Sequence, residues 1–579
     1  PEPFTGTETG TVTDIFVPTM MHSAAVRDDA TWHRTLARLK PGIAVEPVRA
    51  RLHATSRSFE EERAKGFTGI TRQSIDRFLA QTLLLEPAAA GVSGMQQDYR
   101  RSLVALCVLV ALVLLIACAN VANLMTAQAA ARAREMALRL AIGAGRSRLM
   151  QLVLVESATL ALLAAIAGGL FAWWSAPFVV SRINPPDNPA RIFLPADWRV
   201  LAFGLALTLG VTLLFGLAPA LRASAVKPAS ALKGGEDPHG TFGLTRRRLM
   251  NALIAVQVAF CFLVIFVAGL FAATFERLSN RPTGFSAERV LTLDTVAQRA
   301  EAPVFWNQVA EHLRTVPGVE TVALAGWPLL GGGAWNGFVS INGAPPGPVL
   351  AYFLNVSPGW TDAMKIPLLD GRDFRAGDTS TTGLGPGVAI VSETFAKQFF
   401  DGESPIGKLF AKGRDRYQVV GLVRDAPYRS MREPLLPVAY VPFQSIDANG
   451  ALRPIRNASF IVRTSSANPL ALASTMRKEV PAARPEFRVS NIRTQAELVR
   501  AQTVRERLLA MLAMFFAGVA LLLAGVGLYG VLDYGVLQRR REIGIRIAIG
   551  AQAGDIARRV TVDVFSMVIV GAFAGLAFG

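Results

Sequence analysis

The amino-acid sequence predicts an α-helical polytopic membrane protein with α+β domains outside the bilayer and an internal duplication. Composition is the first observation: 51% of the 579 residues are hydrophobic and 18% are charged, too apolar for an ordinary soluble enzyme and too charged for a chain wholly in lipid. The second is a set of long apolar runs. The third is a polar motif that occurs twice: residues 134–144 read REMALRLAIGA, and residues 541–551 read REIGIRIAIGA.

Six apolar segments are long enough, or nearly so, to cross a hydrocarbon core of ~30 Å, which needs roughly 20 helical residues. They lie near 102–126, 150–174, 198–221, 250–274, 508–534 and 559–579. The three basic loops between them, 127–149, 222–249 and 535–558, hold 11 of the 17 net positive charges. Because basic loops stay in the cytoplasm, residues 1–100 and 275–507 are expected outside. Because the basic residues are confined to such loops and have no interleaved aromatic residues, they indicate membrane topology and argue against nucleic acid as a partner.

The external region 275–507 has the pattern of a mixed α+β domain. We predict strands at Val290–Leu293, Val388–Val391, Tyr417–Val423 and Phe460–Val462, and helices at Pro303–Leu313 and Pro469–Glu479. Residues 1–100 look like the end of a second copy, since residues 15–18 (IFVP) resemble 439–442 (AYVP) and residues 35–38 (TLAR) resemble 460–463 (FIVR). We therefore expect part of an eight-helix protein, without the first copy's opening helix, most of its external domain, and a final helix after Gly579.

These observations divide the chain into five parts. They are the C-terminal part of a first external domain (1–100), a first transmembrane domain with three helices (101–249), the first helix of the second half (250–274), the second external domain (275–507), and a second transmembrane domain with two helices (508–579).

Few residues point to catalysis or to a bound cofactor. Gly402–Lys408 fits a phosphate-binding loop, but Leu409 follows where Mg²⁺ needs a hydroxyl group. The run Gly383–Gly387 is predicted to be a surface loop. Cys107, Cys118 and Cys261 all lie in apolar runs, and the five histidines are scattered singly, which predicts neither disulfides nor a zinc site. We predict no catalytic, cofactor or metal site on this chain.

The repeated motif carries the first candidate functional residues. Glu135 and Arg139, like Glu542 and Arg546, stand four residues apart with the acid first, the favoured order for a helical ion pair. Gly143 and Gly550 follow and are predicted to close the two helices. A solvated helix end is one interpretation, and a docking surface for a partner is the other. Repetition of both shape and charge favours docking.

A second candidate site lies inside the apolar helices. Asn120 and Asn123 stand one turn apart in the first predicted helix, and their repeat equivalents are Gly527 and Gly530. Amides in lipid need partners, whereas glycines allow another backbone to come close. We therefore predict that the two equivalent helices pack against each other; an amide bonded within its own half is the alternative.

Several motifs resemble the MacB/FtsX-like ABC transporter permeases, in particular the duplicated, ADOP-type members in which two four-helix halves are fused. The motifs are Leu115–Leu124 (LIACANVANL), Gly216–Arg222 (GLAPALR), Val356–Gly359 (VSPG), Pro405–Gly407 (PIG), Val419–Val423 (VVGLV) and Gly527–Val531 (GLYGV). The resemblance covers essentially the whole chain. It implies a multi-pass protein of the bacterial inner membrane, surrounded by lipid, with MacB-like periplasmic core domains and FtsX-like transmembrane domains.

The same resemblance implies a function and partners. A separate pair of ABC ATPase subunits, which bind ATP and Mg²⁺, is expected to dock on the helix ends that carry Glu135, Arg139, Glu542 and Arg546. The chain itself is expected to be a permease without an ATPase domain, and to couple ATP hydrolysis to export of a hydrophobic or amphipathic substrate by mechanotransmission. A periplasmic adaptor and an outer-membrane channel are further partners that the resemblance allows. The alternative function is that of an FtsX-like signalling or scaffold protein that controls a periplasmic enzyme.

Overall fold

A computed structural model describes residues 18–21, 35–66, 72–88, 94–131, 138, 145–183, 198–200, 202–210, 241–381, 385–447, 449–538 and 540–578. The chain divides into two compact units. One, the helical unit, comprises residues 1–23, 90–276 and 504–579; the other comprises residues 24–89 and 277–503. Within the second unit, residues 277–503 are called the core domain below.

The α-helices are α1 (Val45–Lys65), α2 (Arg72–Leu79), α3 (Gly94–Ala131), α4 (Arg146–Ile183), α5 (Thr241–Ser279), α6 (Pro303–Arg314), α7 (Trp360–Met364), α8 (Glu393–Phe399), α9 (Ala473–Ala483), α10 (Gln495–Ala501), α11 (Val504–Gln538), α12 (Arg540–Ala548) and α13 (Ala553–Phe578). Residues 198–200 and 202–210 are also helical, and short 3₁₀ turns span Thr19–Met21 and Pro469–Leu472.

Four of these helices contain stretches that are long and apolar enough to cross a membrane. The stretches are Ser102–Val121, Leu154–Val179, Ile254–Ser279 and Val504–Gly530. Trp198–Gly210 and Val568–Ala577 are shorter apolar stretches. The helices continue for one to three turns past most of the predicted apolar segments, because a helix ends where its backbone hydrogen bonds end and not where its hydropathy falls.

Helices α3, α5 and α11 share one buried apolar cluster in the helical unit. Leu109 and Ile116 of α3 and Val264 of α5 meet Ala513, Ala517 and Ala520 of α11. Small side chains on α11 let neighbouring helices come close, which is how helices associate where water supplies no hydrophobic driving force.

Helix α13 packs on α5 through two glycines four residues apart. A Cβ atom at Gly571 would lie 2.7 Å from the carbonyl oxygen of Ala255, and one at Gly575 would lie 2.8 Å from the carbonyl oxygen of Ala259. The spacing places both glycines on one face of α13, as in the G-x-x-x-G motif of membrane helix pairs. Any larger residue at either position would push the two helices apart.

The core domain is built on a mixed sheet of twelve strands. With a separate pair, the described part of the domain has fourteen strands: β1 (Val290–Glu301), β2 (Val319–Ala325), β3 (Asn336–Phe338), β4 (Ser340–Ile341), β5 (Leu350–Val356), β6 (Leu368–Gly371), β7 (Ser380–Thr381), β8 (Gly387–Ser392), β9 (Leu409–Lys412), β10 (Asp415–Val423), β11 (Val438–Pro442), β12 (Ser445–Ile446), β13 (Ile455–Thr464) and β14 (Phe487–Thr494). Their order is β14-β1-β13-β2-β5-β11-β8-β10-β9-β4, with β3 beside β5 and β6 beside β10; β7 and β12 form a separate pair.

One end of this sheet is a split β-α-β arrangement. Strands β14, β1, β13 and β2 are all antiparallel neighbours, and α6 and α9 connect β1 to β2 and β13 to β14. This is the β-α-β-β-α-β pattern of ferredoxin-like folds, with β3 to β12 inserted between β2 and β13. Trp306 of α6 lies at the centre of the core of this arrangement. It is fully buried, and its ring packs edge-on against that of Phe487, with 4.7 Å between the ring centres.

The four strands and two helices predicted from sequence patterns are confirmed. Each predicted strand lies inside β1, β8, β10 or β13, and Pro303–Leu313 lies inside α6. The second predicted helix begins with the 3₁₀ turn at Pro469 and continues as α9. The predicted α+β class of the core domain is therefore correct.

Candidate functional site

Two equivalent helices of the duplication, α3 and α11, meet at a polar contact within the helical unit. The side-chain amide nitrogen of Asn120 on α3 donates a hydrogen bond of 2.6 Å to the carbonyl oxygen of Leu523 on α11. Asn120 is buried. Among the described residues, its Oδ1 atom has no hydrogen-bond partner. The contact therefore gives the amide one partner where no bulk water can supply one.

Gly527 supplies the space for this contact. A Cβ atom at Gly527 would lie 1.9 Å from Oδ1 of Asn120 and 2.7 Å from Nε2 of Gln257. Real Cβ atoms do not approach oxygen this closely, so a larger residue would force the amide or the helix to move. The structure thus brings together Asn120 and Gly527, two of the residues singled out from the repeat.

Gln257 of α5 is a third member of this contact that sequence reasoning missed. Its side-chain nitrogen donates to the same carbonyl oxygen of Leu523 at 3.3 Å, and the residue is buried. The available signal was an amide in the apolar run 250–274, where polar side chains usually bond between helices.

The other two residues predicted for this interface are less defined. Asn123 lies in α3, but its side chain falls outside the described part of the structure. Gly530 lies in α11, three residues after Gly527, and is partly exposed.

The second copy of the repeated motif forms a short helix of its own, α12, directly after α11. Arg546 donates to Glu542 at 2.5 Å, one turn apart, and both side chains are substantially exposed. An exposed pair of this kind stabilises a helix by only ~0.2–0.5 kcal/mol. The two charged groups therefore neutralise each other at an exposed position.

Gly550 closes α12 with a Schellman cap. Its φ angle is +98°, its backbone nitrogen donates to the carbonyl oxygen of Ile547, and the nitrogen of Ala551 donates to the carbonyl oxygen of Arg546. This pair of bonds satisfies carbonyl groups that a helix end leaves open, and the positive φ favours glycine. The glycine near the end of the repeated motif thus fixes where the helix stops.

Two large apolar side chains are exposed at the end of α12. The exposed fractions are 55% for Ile545 and 81% for Ile549, the residue after the last of α12. The backbone nitrogen of Ile549 still donates to the carbonyl oxygen of Ile545, so the two residues lie on one face. Leu138, the equivalent of Ile545 in the first copy, is 52% exposed. Glu135, Arg139 and Gly143 lie outside the described residues.

The loop that resembles a phosphate-binding motif is a surface turn between α8 and β9. Gly402 and Gly407 have φ angles of +79° and +80°. Nζ of Lys408 bonds to Glu403 at 2.6 Å and lies 5.3 Å from the centre of the Phe400 ring. The lysine is thus paired locally, and no helix opens on the loop to receive a phosphate group.

Two protein-family models match the chain. The FtsX-like permease C-terminal model matches residues 107–228 and 514–579, and the MacB-like periplasmic core domain model matches residues 253–479. The FtsX-like match therefore lies on both sides of the MacB-like match and contains Asn120, Gly527 and both copies of the repeated motif. The chain belongs to the MacB/FtsX-like ABC transporter permeases. This confirms the predicted fold class, helical spans plus an α+β core domain with an internal duplication.

Relatives of this MacB/FtsX-like permease carry transport names. It is 26% identical over 222 residues to the macrolide export ATP-binding/permease protein MacB of Marinobacter nauticus, covering 38% of this chain and 33% of that protein. It is 24% identical over 234 residues to the pyoverdine export ATP-binding/permease protein PvdT of Pseudomonas aeruginosa, covering 39% and 34%. With the uncharacterized ABC transporter permease YknZ of Bacillus subtilis it shares 23% over 226 residues, covering 39% and 55%. The matched region thus spans about a third of the length of the export proteins.

Two solved structures resemble part of this permease. The periplasmic region of MacB from Actinobacillus actinomycetemcomitans aligns over 38% of this chain and 94% of its own length, with 13% identity and a TM-score of 0.26. The extracellular domain of YknZ from Gram-positive bacteria aligns over 34% and 100%, with 19% identity and a TM-score of 0.24.

Proposed function

We propose that this chain is the permease subunit of an ABC transporter of the bacterial inner membrane. In this proposal a separate pair of ATPase subunits, which bind ATP and Mg²⁺, docks on the two copies of the repeated motif. Closure of the pair moves the helices, the helices move the core domain, and a hydrophobic or amphipathic substrate is exported. The observation that carries the proposal is α12, a helix with exposed charged and apolar side chains, whose sequence motif occurs once in each half.

Exposed isoleucines support docking at α12. Exposure of large apolar side chains to water is unfavourable. A partner that covers them gains roughly 25 cal/mol for each Å² of apolar surface buried. Ile545 and Ile549 share one helix face, and Glu542 and Arg546 place one charge of each sign beside them. A groove with apolar walls and charged edges would fit this surface. Because each half contributes one copy, the chain can receive two ATPase subunits in a pseudo-twofold arrangement.

The helix that precedes α12 can transmit force. Helix α11 runs without a break from Val504 to Gln538, and 35 residues at ~1.5 Å each give a rod of about 52 Å. Its first residue follows the end of the core domain, and α12 begins two residues after its last. A continuous hydrogen-bonded rod passes displacement from one end to the other more readily than a loop does. This favours mechanotransmission over a flexible linkage.

The contact between Asn120 and Gly527 supports a symmetric joining of the two halves. These residues occupy equivalent positions in the two copies, and in a twofold arrangement equivalent residues touch only near the axis. We propose that α3 and α11 pack at a pseudo-dimer axis, with Gln257 bracing the contact from α5. A displacement of the two copies of the repeated motif would then act on both halves together.

The MacB-like core domain favours export over the signalling alternative. Two relatives of this chain are named for export of macrolides and of pyoverdine. A periplasmic adaptor and an outer-membrane channel are further partners proposed for this chain on the same ground. The substrate class is proposed from the relatives and not from any cluster of residues in the core domain.

Photo-cross-linking tests the docking surface. A photoreactive amino acid is placed at Ile549 or Leu138 of the full-length protein, which is produced with its ATPase in cells. We expect a covalent adduct with the ATPase subunit at both positions. Phe565 of α13 is a matched control, since its side chain is 65% exposed but faces outward within an apolar helix. The proposal fails if position 549 gives no more adduct than position 565 in complexes that have assembled.

A further inference from the structure

Three consecutive residues of the core domain, Met431, Arg432 and Glu433, contact both segments by which the chain enters and leaves that domain. The entering segment, residues 280–289, follows α5. The leaving segment, residues 495–503, precedes α11. Residues 431–433 are called the clasp below, and all of its contacts described here lie within the core domain.

Arg281 binds the entering segment to the clasp. Its Nη1 atom donates to the carbonyl oxygen of Met431 and, at 3.2 Å, to the carbonyl oxygen of Glu433. Hydrogen bonds from a charged guanidinium are roughly twice as strong as neutral ones. The Met431 side chain is fully buried, so the two acceptor carbonyls are held in place by the domain itself.

The leaving segment is bound to the clasp by the side chain of Arg432. Nη2 of Arg432 donates to the carbonyl oxygen of Gln502 at 2.6 Å. Side-chain nitrogens of the leaving segment also donate to neighbouring carbonyls: Gln495 to Leu329 at 2.8 Å and Gln502 to Leu330 at 3.3 Å. The nitrogen of Leu330 in turn donates to the carbonyl oxygen of Tyr428, three residues before the clasp. These bonds join the leaving segment and the clasp into one network.

The entering segment is rigid beyond Arg281. Gly284 has a φ angle of +68°, and a Cβ atom there would lie 2.0 Å from the carbonyl oxygen of Asp425. Further along, the buried guanidinium of Arg463 donates to the carbonyl oxygens of Ser286 and Glu288, each at 3.1 Å. The segment therefore has little freedom to move relative to the core domain while these contacts hold.

We infer that the clasp makes the two junctions one mechanical connection. Arg281 and Arg432 pass a displacement of either α5 or α11 to the same three residues, so that neither junction moves without the other. Both arginines are positioning residues, since they hold main-chain segments and touch no substrate. The inference rests on the proposed function, because a shared junction matters only if ATP-driven motion reaches the core domain.

Distance measurement by electron paramagnetic resonance tests the clasp in the full-length protein with its ATPase in lipid nanodiscs. Spin labels are attached at Arg414→Cys in the core domain and Met511→Cys in α11, both exposed, after replacement of the three native cysteines. The distance distribution is compared between the ATP-free and the vanadate-trapped complex. We expect a shift in the protein with an intact clasp, and loss of most of that shift in the variant with both Arg281→Ala and Arg432→Ala.

Arg500→Ala is the matched control, since it removes an exposed arginine of the leaving segment that does not belong to the clasp, and it should keep the full shift. Arg432→Lys, which retains a donor, should keep more of the shift than Arg432→Ala. Hydrogen exchange of β13 reports folding, and the single variant Arg432→Ala replaces the double variant if the latter exchanges faster there. A folded clasp variant that shifts as far as the control overturns the inference and leaves the proposed function standing. Absence of a shift in the intact protein, with vanadate trapped, overturns the proposed function itself.

Discussion

Asn120 and Gly527 occupy the same position in the two copies of the duplication, and the amide oxygen of Asn120 lies 1.9 Å from the point where a Cβ atom of residue 527 would be. The amide nitrogen of Asn120 meanwhile donates to the carbonyl oxygen four residues before Gly527. An asparagine within lipid needs a partner, and a glycine lets a neighbouring backbone provide one. Divergence of one position into an amide and a glycine therefore explains how two similar helices form a close contact.

Substitution of Gly527 by Ala should destabilise the helical unit. The new Cβ atom would lie 1.9 Å from Oδ1 of Asn120, and overpacking of this kind typically costs about 1–3 kcal/mol. Asn120→Ala in the same chain removes the clashing oxygen and should recover part of the loss, which a double-mutant cycle of thermal stability in detergent measures as a coupling energy. Gly525→Ala is the control, because no atom lies within 4 Å of its added carbon. Equal stability of the Gly527 and Gly525 variants would argue against the contact.

The topology can be checked with two exposed positions. Asp555 at the start of α13 should face the cytoplasm, and Arg414 in the core domain should face the periplasm. A cysteine at Arg414, in a chain without the native cysteines, should react with an impermeant thiol reagent in intact spheroplasts. A cysteine at Asp555 should react only after the membrane is opened. Labelling of both in intact spheroplasts would contradict the assigned orientation.

The core domain should lose stability in acid through Asp378. Burial acts to raise the pKa of this carboxyl group, but hydrogen bonds from Arg372 at 2.6 Å and from the backbone nitrogen of Arg375 at 2.8 Å lower the pKa below its usual value. A lowered folded-state pKa stabilises the fold above the unfolded-state pKa of about 3.9, and the contribution is lost as the pH falls toward the folded-state pKa. Urea unfolding followed by tryptophan fluorescence should thus show a smaller acid loss in Asp378→Asn.

The pair of Glu403 and Lys408 is the control for that measurement. Its carboxylate side chain is 75% exposed, so solvent screens the interaction. Glu403→Gln should leave the acid dependence of unfolding close to that of the unmodified protein. If the pH dependence of unfolding changes as much for Glu403→Gln as for Asp378→Asn, the role assigned to Asp378 is wrong.

The sequence predicted local strands and helices correctly but did not predict contacts between residues that are distant in the chain. Alternating apolar residues predicted strands such as Tyr417–Val423, since side-chain period and burial are local properties. The pairing of β1 with β13 joins residues such as Val290 and Arg463, and no local pattern carries that information. The clasp consists of side chains that bind main-chain carbonyls, so any residue can supply the acceptor. Gln257 was missed because its partner is the main-chain carbonyl group of Leu523, which is distant in the chain and carries no sequence signal.

The docking role of the repeated motif is the central claim, and charge reversal in both copies tests it most directly. Glu135→Lys and Glu542→Lys are introduced into the full-length protein, which is assembled with its ATPase in nanodiscs, and ATP turnover is measured. The fold should survive, because an exposed helical pair contributes only a few tenths of a kcal/mol. Glu62→Lys with Glu403→Lys, which adds the same charge at two exposed positions outside the motif, should leave turnover unchanged. We predict a partial loss of turnover for either single variant and a fall to the level of the ATPase alone for the double variant. A double variant that assembles with the ATPase and keeps the turnover of the unmodified complex would contradict the account.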